Sequence, residues 1–202
     1  MHKVILASNS PRRKEILKQA GIKFEVLPST KEEIITKRMP EDVVKELSAL
    51  KAHDIAMQTD ESAIIIGADT IVVINNQILG KPKDKKEAER MLRLLQGNTH
   101  QVYTGVTVLV RNKNEDRTDY SMKTIQFVEK TQVKVYPMND SAIIDYITTE
   151  EPMDKAGAYA IQGKFAVYIH SINGDYYNVM GFPIGRFYYE LKRQGIDILT
   201  KK

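Results

Sequence analysis

The chain contains no cysteine among its 202 residues. That excludes disulfides and thiolate chemistry, and it makes the cytoplasm the expected compartment. No apolar run reaches the roughly eighteen residues that a membrane helix needs. The first ten residues hold too short an apolar stretch for a secretory signal. The four histidines, His2, His53, His100 and His170, stand far apart in sequence, and no pair has metal-ligand spacing. Zinc is therefore not expected, and a metal should be a hard cation held by carboxylate oxygen and substrate phosphate. Dense basic tracts are missing too. The 30 Lys and Arg residues give a formal net charge of +4 but are spread along the chain, which argues against a nucleic-acid partner. The basicity fits a small phosphorylated ligand. Two nucleotide signatures also fail. Gly157 to Gly163-Lys164 is one residue too long for a Walker A loop, with Phe165 in place of its Ser/Thr. No G-x-G-x-x-G follows a strand, so a Rossmann site is excluded.

What is present is ordinary globular material, with 42% hydrophobic and 28% charged residues. The length suits one large domain spanning 1–202, or two small lobes sharing a cleft. The pattern predicts a strand at Val4–Ala7, a helix to about Ala20 ended by Gly21, and a strand at Phe24–Leu27. A polar loop follows over Pro28–Met39. A helix opens at Pro40 with Glu41 and Asp42 at its favourable end. Ala63–Ile66 reads as a buried strand. Ile71–Ile74 and Gln77–Leu79 form a hairpin about Asn75-Asn76. Asp84 with Glu87 resembles a capping box for a helix to Leu95. Long strands are expected over Gln101–Val110 and Lys123–Val135, joined by a polar connection at Asn112–Asp119. Helices are expected over Asp140–Thr149 and Ile184–Arg193. Asn173-Gly174 reads as a hairpin turn between strands Ala166–Ile172 and Tyr176–Met180. The element order predicts α/β with a mixed sheet and flanking helices.

The chemistry concentrates at a few places. Ser10 suits an N-cap and Pro11 the first helical position, which puts Arg12, Arg13 and Lys14 in the first turn. Cations there are unfavourable against the helix dipole unless an anion such as phosphate is bound. A solvated basic turn explains the segment equally well. Asp69 follows a buried strand and Gly67, where it can orient water, accept a proton or hold a metal. Taken alone, an Asp stabilising its own turn beside Thr70 is the commoner reading. Of the adjacent Glu32 and Glu33, extended geometry lets one face a site. Lys51, beside an apolar helix face, and Lys81, fixed between Gly80 and Pro82, can donate to phosphate. Gln162 can read a base edge through its amide. Asp154 and Lys155 fit a structural ion pair.

Together these segments resemble the Maf family of nucleoside triphosphate pyrophosphatases. The resemblance rests on Leu6-Ala-Ser-Asn-Ser-Pro-Arg-Arg13, Gly67-Ala-Asp-Thr70, Lys81-Pro82 and His100-Gln-Val-Tyr-Thr104. It continues with Glu151-Pro-Met-Asp-Lys-Ala-Gly-Ala-Tyr159, Ile161-Gln-Gly163 and Val179-Met-Gly-Phe-Pro183. It implies an elongated mixed β-sheet with flanking helices and two lobes around a cleft, similar to inosine triphosphate pyrophosphatase. It implies hydrolysis of a nucleoside triphosphate to monophosphate and pyrophosphate with Mg²⁺, or with Mn²⁺ or Co²⁺. Arg12, Thr70 and Gln162 match the dTTP/UTP subgroup, so dTTP, UTP or modified pyrimidine nucleotides are the expected substrates. The mechanism expected from these readings has Ser8, Arg12 and Arg13 hold the triphosphate, Lys51 and Lys81 add charge, and Asp69 accept the proton of the attacking water. The metal is expected on Glu33 first, with Asp69, the division among Glu32, Glu33 and Asp69 being left open, and Thr70 and Gln162 are expected to help select the nucleobase. A homodimer is expected, with no membrane or stable nucleic-acid partner. The rival readings are a non-catalytic nucleotide-binding regulator of septum formation and a pyrophosphatase for 7-methyl-GTP. One departure is Phe165, where the family pattern favours a small residue. It is expected to alter the base pocket.

Overall fold

A computed structural model describes residues 2–113 and 120–199. The expected connection at Asn112–Asp119 therefore lies mostly outside the described residues. These residues contain strands β1 (Lys3–Leu6), β2 (Glu25–Val26), β3 (Ala63–Ile74), β4 (Gln77–Leu79), β5 (Thr99–Lys113), β6 (Tyr120–Val135) and β7 (Ile169–Asn173). The helices are α1 (Pro11–Gln19), α2 (Pro40–Met57), α3 (Lys85–Leu95), α4 (Asp140–Thr148), α5 (Tyr176–Met180) and α6 (Ile184–Arg193). Short 3₁₀ turns cover Glu151–Asp154, Ala156–Ala158 and Lys164–Tyr168.

The strands form one sheet in the order β2-β1-β3-β5-β6-β7, with β4 also paired to β3. It is mixed, as expected. β1 runs parallel to both β2 and β3, whereas β3–β4 and β6–β7 are antiparallel. Among the described residues no helix is long and apolar enough to cross a membrane. By compactness the described chain falls into two units. The first takes the chain through Asp69, most of β5 with the start of β6, and the chain from Gly181. The second takes Thr70–Tyr103 and Lys130–Met180.

In the first unit Ile5, Ala7, Ala52, Ile55, Ala63, Ile65 and Leu109 share one apolar cluster, which joins β1, α2, β3 and β5. α2 lies unusually close to the strands. A Cβ on Gly67 would fall 2.2 Å from the Ser48 carbonyl oxygen, and one on Gly105 would fall 2.3 Å from that of Val44. Val44 and Ser48 are four apart and therefore on one helix face. Two glycines on β3 and β5 thus admit the helix backbone itself.

In the second unit the hairpin at Asn75-Asn76 is present, with both residues at positive φ (49° and 61°), the conformation of a two-residue type I′ loop. Asp84 caps α3 by accepting from the Glu87 N–H at 2.7 Å. The second expected hairpin is not formed. β7 ends at Asn173, Gly174 turns at φ 129°, and Tyr176–Met180 is helical. Asp175 starts that helix by accepting from the Tyr177 N–H. The helical turn lets buried Asn178 donate to the Val102 carbonyl (3.1 Å) and to Thr131 Oγ1 (2.9 Å), bonds that compete with strand pairing. Ala166–Tyr168 belongs to a 3₁₀ turn for a related reason: Phe165 at its start is fully buried. Its ring packs on Tyr146, Tyr159 and Tyr168 with centroids 5.0, 4.9 and 5.4 Å away. Phe165 is thus a core residue of this unit.

Candidate active site

β3 decides where the acid lies. Every residue of this strand is buried except Asp69 and Thr70, which are half-buried. Asp69 is therefore within a strand, not at a strand end as its sequence suggested. The register explains why it is still accessible. The pairing of β1 with β3 stops at Leu6–Ile66, the Ala7 N–H adds one last bond to the Ile66 carbonyl, and β4 joins only from Val72. Along β3, Asp69 falls after the last residue paired with β1 and before the first paired with β4. It is the carboxyl end of β1 that stops short there, consistent with ligands gathering outside strand ends.

β1 leads directly into the cationic turn. Ser10 occupies the N-cap position of α1, but its side chain makes no capping bond. Ser8 takes the structural role instead, because its Oγ accepts from the Ser10 N–H (3.3 Å) and from an Arg13 Nη (3.0 Å). Arg13 Nε donates to the Gly181 carbonyl at 2.9 Å. Arg13 is 8% exposed, which is rare for an arginine and tolerable only when its donors are satisfied or an anion is near. Burial lowers its pKa. The negative charge of Asp69 opposes that shift, neighbouring Arg12 adds to it, and Glu33 opposes it. The Arg13 guanidinium is therefore within electrostatic reach of both carboxylates and of Arg12.

α2 supplies the third component. Lys51 Nζ lies 2.5 Å from Asp69 Oδ1 and 2.9 Å from Glu33 Oε1, with the lysine and aspartate side chains 14% and 13% exposed. Glu33, not its neighbour Glu32, makes this contact. Thus Ser8, Arg12, Arg13, Glu33, Lys51 and Asp69 are gathered in the first unit.

The other expected residues belong to the second unit. Thr70 is half-buried, while Lys81 and Gln162 are exposed. Lys81 follows Gly80, whose carbonyl accepts from the Gly157 N–H at 3.0 Å. Gln162 sits in a turn held by Glu151. The Glu151 carboxylate accepts from the Lys164 N–H (3.0 Å) and from the Tyr146 hydroxyl (2.8 Å). Burial and that bond both push the Tyr146 phenol pKa up. Lys155 bonds the Glu151 carbonyl and pairs with Asp154, a structural arrangement as expected. Sequence reasoning assigned no role to Glu151 or to the Gly181 carbonyl. A backbone acceptor leaves no residue-type signal, and Glu151 was visible only as one acid in a polar segment.

Residues 3–194 match the family model described as Maf-like protein. The chain belongs to the Maf family. Curated relatives of this Maf protein include the dTTP/UTP pyrophosphatases of Lachnoclostridium phytofermentans, 52% identical over the full length of both chains, and of Agathobacter rectalis, 47% identical over 98% of this chain and all of that one. The dTTP/UTP pyrophosphatase of Bacillus anthracis is 45% identical over 98% of each chain. Among solved structures, the Staphylococcus aureus Ham1 protein is 15% identical, with a TM-score of 0.47 over 95% of this chain and 99% of that chain.

Proposed function

We propose that this Maf protein is a nucleoside triphosphate pyrophosphatase acting on dTTP and UTP, as its curated relatives are named. The observation that carries the reading is the buried Arg13 within electrostatic reach of Asp69, which Lys51 holds at 2.5 Å. Water attacks the α-phosphorus, the bond from that phosphorus to the α–β bridging oxygen breaks, and pyrophosphate leaves with the bridging oxygen. Asp69 accepts the water's proton. Ser8, Arg12 and Arg13 hold the phosphate chain at the start of α1. Their donors, with the charge of Lys51, stabilise the negative charge that builds on the leaving pyrophosphate. Lys81 adds charge, and Thr70 with Gln162 selects the pyrimidine, roles that rest on their motifs.

The donor set suits a divalent cation of the Mg²⁺ type. Two carboxylate oxygens, from Glu33 and Asp69, converge on a single positive group, the Lys51 ammonium. Among the described residues no cluster of three or more His, Cys, Asp or Glu is present to form a full protein cage. One or two carboxylates completed by water and substrate phosphates is the habit of Mg²⁺. When bound, such an ion polarises phosphate oxygens and acidifies the attacking water.

Incubation with UTP or dTTP and Mg²⁺, followed by product analysis, tests the reading. UMP or TMP with pyrophosphate supports it. Nucleoside diphosphate with phosphate, no product, or a clear preference for 7-methyl-GTP in a triphosphate panel overturns it.

A further inference from the structure

The segment that carries Glu33 has almost nothing to hold it. Residues 27–39 form neither helix nor strand, and every residue from Lys31 to Met39 is exposed. Its apolar side chains do not anchor it, since Ile34, Ile35 and Met39 are 63%, 53% and 66% exposed. What it does have is a set of bonds to α2. Ser29 Oγ donates to Asp54 Oδ2 at 2.7 Å and accepts from the Lys31 N–H at 3.3 Å. The Glu46 carboxylate accepts from the Thr36 N–H (2.9 Å), the Thr36 hydroxyl and the Lys37 N–H (3.3 Å). Between these staples Glu33 meets Lys51. Ser29 to Asp54, Glu33 to Lys51 and Thr36 to Glu46 form three rungs in reversed order. The loop therefore runs antiparallel along the helix.

Covalent reach does not create this placement. Asp54 and Glu46 are separated by about 12 Å along a helix. The chain from Ser29 to Thr36 can extend about 23 Å. The loop is slack, and without its end staples Glu33 has many positions open to it. We propose that Glu46 and Asp54 are positioning residues that strap this loop onto α2 and so hold the Glu33 carboxylate beside Lys51 and Asp69, ready for a divalent cation. The inference rests on the reading of Glu33 as a metal-binding residue.

The test compares Glu46→Ala, Asp54→Ala and Glu46→Gln with Glu33→Gln. Mn²⁺ binding is titrated by electron paramagnetic resonance with α,β-imido-UTP present. Hydrogen exchange is followed across residues 29–39. Glu46→Ala and Asp54→Ala are expected to weaken Mn²⁺ about tenfold, as outer-shell changes do. Mg²⁺-saturated kcat stays within about twofold, because excess ion restores occupancy. The Thr36 and Lys37 amides lose protection in Glu46→Ala and keep it in Glu46→Gln, whose side-chain oxygen still accepts. If both alanine variants bind Mn²⁺ like the parent while Glu33→Gln does not, the strap is overturned and Glu33 keeps its role. If Glu33→Gln binds Mn²⁺ like the parent, the reading of Glu33 fails and the strap's purpose fails with it. A fall in saturated kcat at unchanged Mn²⁺ affinity would show a merely structural effect and overturn the proposal.

Discussion

At the scale of single residues, the acid and the buried ring make opposite predictions. Asp69→Asn removes the proposed proton acceptor but leaves the cationic turn of α1 untouched. Turnover of UTP should fall by about 10²–10⁴-fold, the usual weight of a general base, while calorimetry still records nucleotide binding. Full turnover in that variant would remove Asp69 from its role. Phe165→Ala should do the reverse. The ring is fully buried among Tyr146, Tyr159 and Tyr168, so its loss should lower stability by about 3–5 kcal/mol in denaturant titrations. From sequence alone Phe165 looked like an intrusion into a ligand pocket. One chain position cannot reveal that three tyrosines converge on it, from α4, from just after the turn Ala156–Ala158 and from the turn Lys164–Tyr168. The residues of the first unit were more legible because Ser8, Arg12 and Arg13 lie within one turn of each other. The expectation of Glu33 over Glu32 had no local signal behind it, because the contact that separates them is with Lys51, eighteen positions later by chain count.

At the scale of elements, the close seat of α2 is the feature to test. Gly67→Ala drives a methyl group into the Ser48 carbonyl, a rigid backbone atom that cannot swing aside. The helix must shift, at a cost of about 1–3 kcal/mol. Because Lys51 rides on α2 and Asp69 lies two residues beyond Gly67, kcat/KM should fall with stability. Gly185→Ala is the control. A Cβ there meets nothing within 4 Å, and a helical Gly→Ala change on α6 should raise stability by about 0.5–1 kcal/mol with kinetics unchanged. If Gly67→Ala melts like the parent, the helix is not seated on its backbone. The long elements were readable in the sequence because their periodicity is local. α2 opens at Pro40 and α6 spans Ile184–Arg193 as expected, and α3 starts just after its Asp84 cap and ends at Leu95. The segment after Asn173 departs from expectation because Asn-Gly marks a hairpin whatever residues come after it. Here Asp175 and the buried Asn178 recruit the chain into a helix.

At the scale of the whole molecule, stability should depend on a histidine outside the proposed chemistry. His100 is fully buried, its Nε2 lies 2.8 Å from the Tyr159 hydroxyl, and its Nδ1 has no hydrogen-bond partner among the described residues. Burial lowers its pKa from 6.5 to about 4. The unfolded chain takes up a proton near pH 6.5 that the folded chain refuses until about pH 4. This contribution is therefore complete above pH 6.5 and drains away as pH falls towards 4. Its size is on the order of 3 kcal/mol. Urea titrations from pH 7 to pH 4 should show a shallower decline for His100→Gln than for the parent, and parallel curves would refute the assignment. The sheet order was less legible than its parts, because β3, β5 and β6 each contribute residues to both units and no local signal announces a strand with two allegiances. The contact of Lys51 with both Asp69 and Glu33 also bears on how the enzyme rests. A single ammonium from the same chain sits between the two acids, a built-in placeholder at the proposed centre. On the proposed reading, a metal–nucleotide arriving there has to evict that tenant before turnover starts.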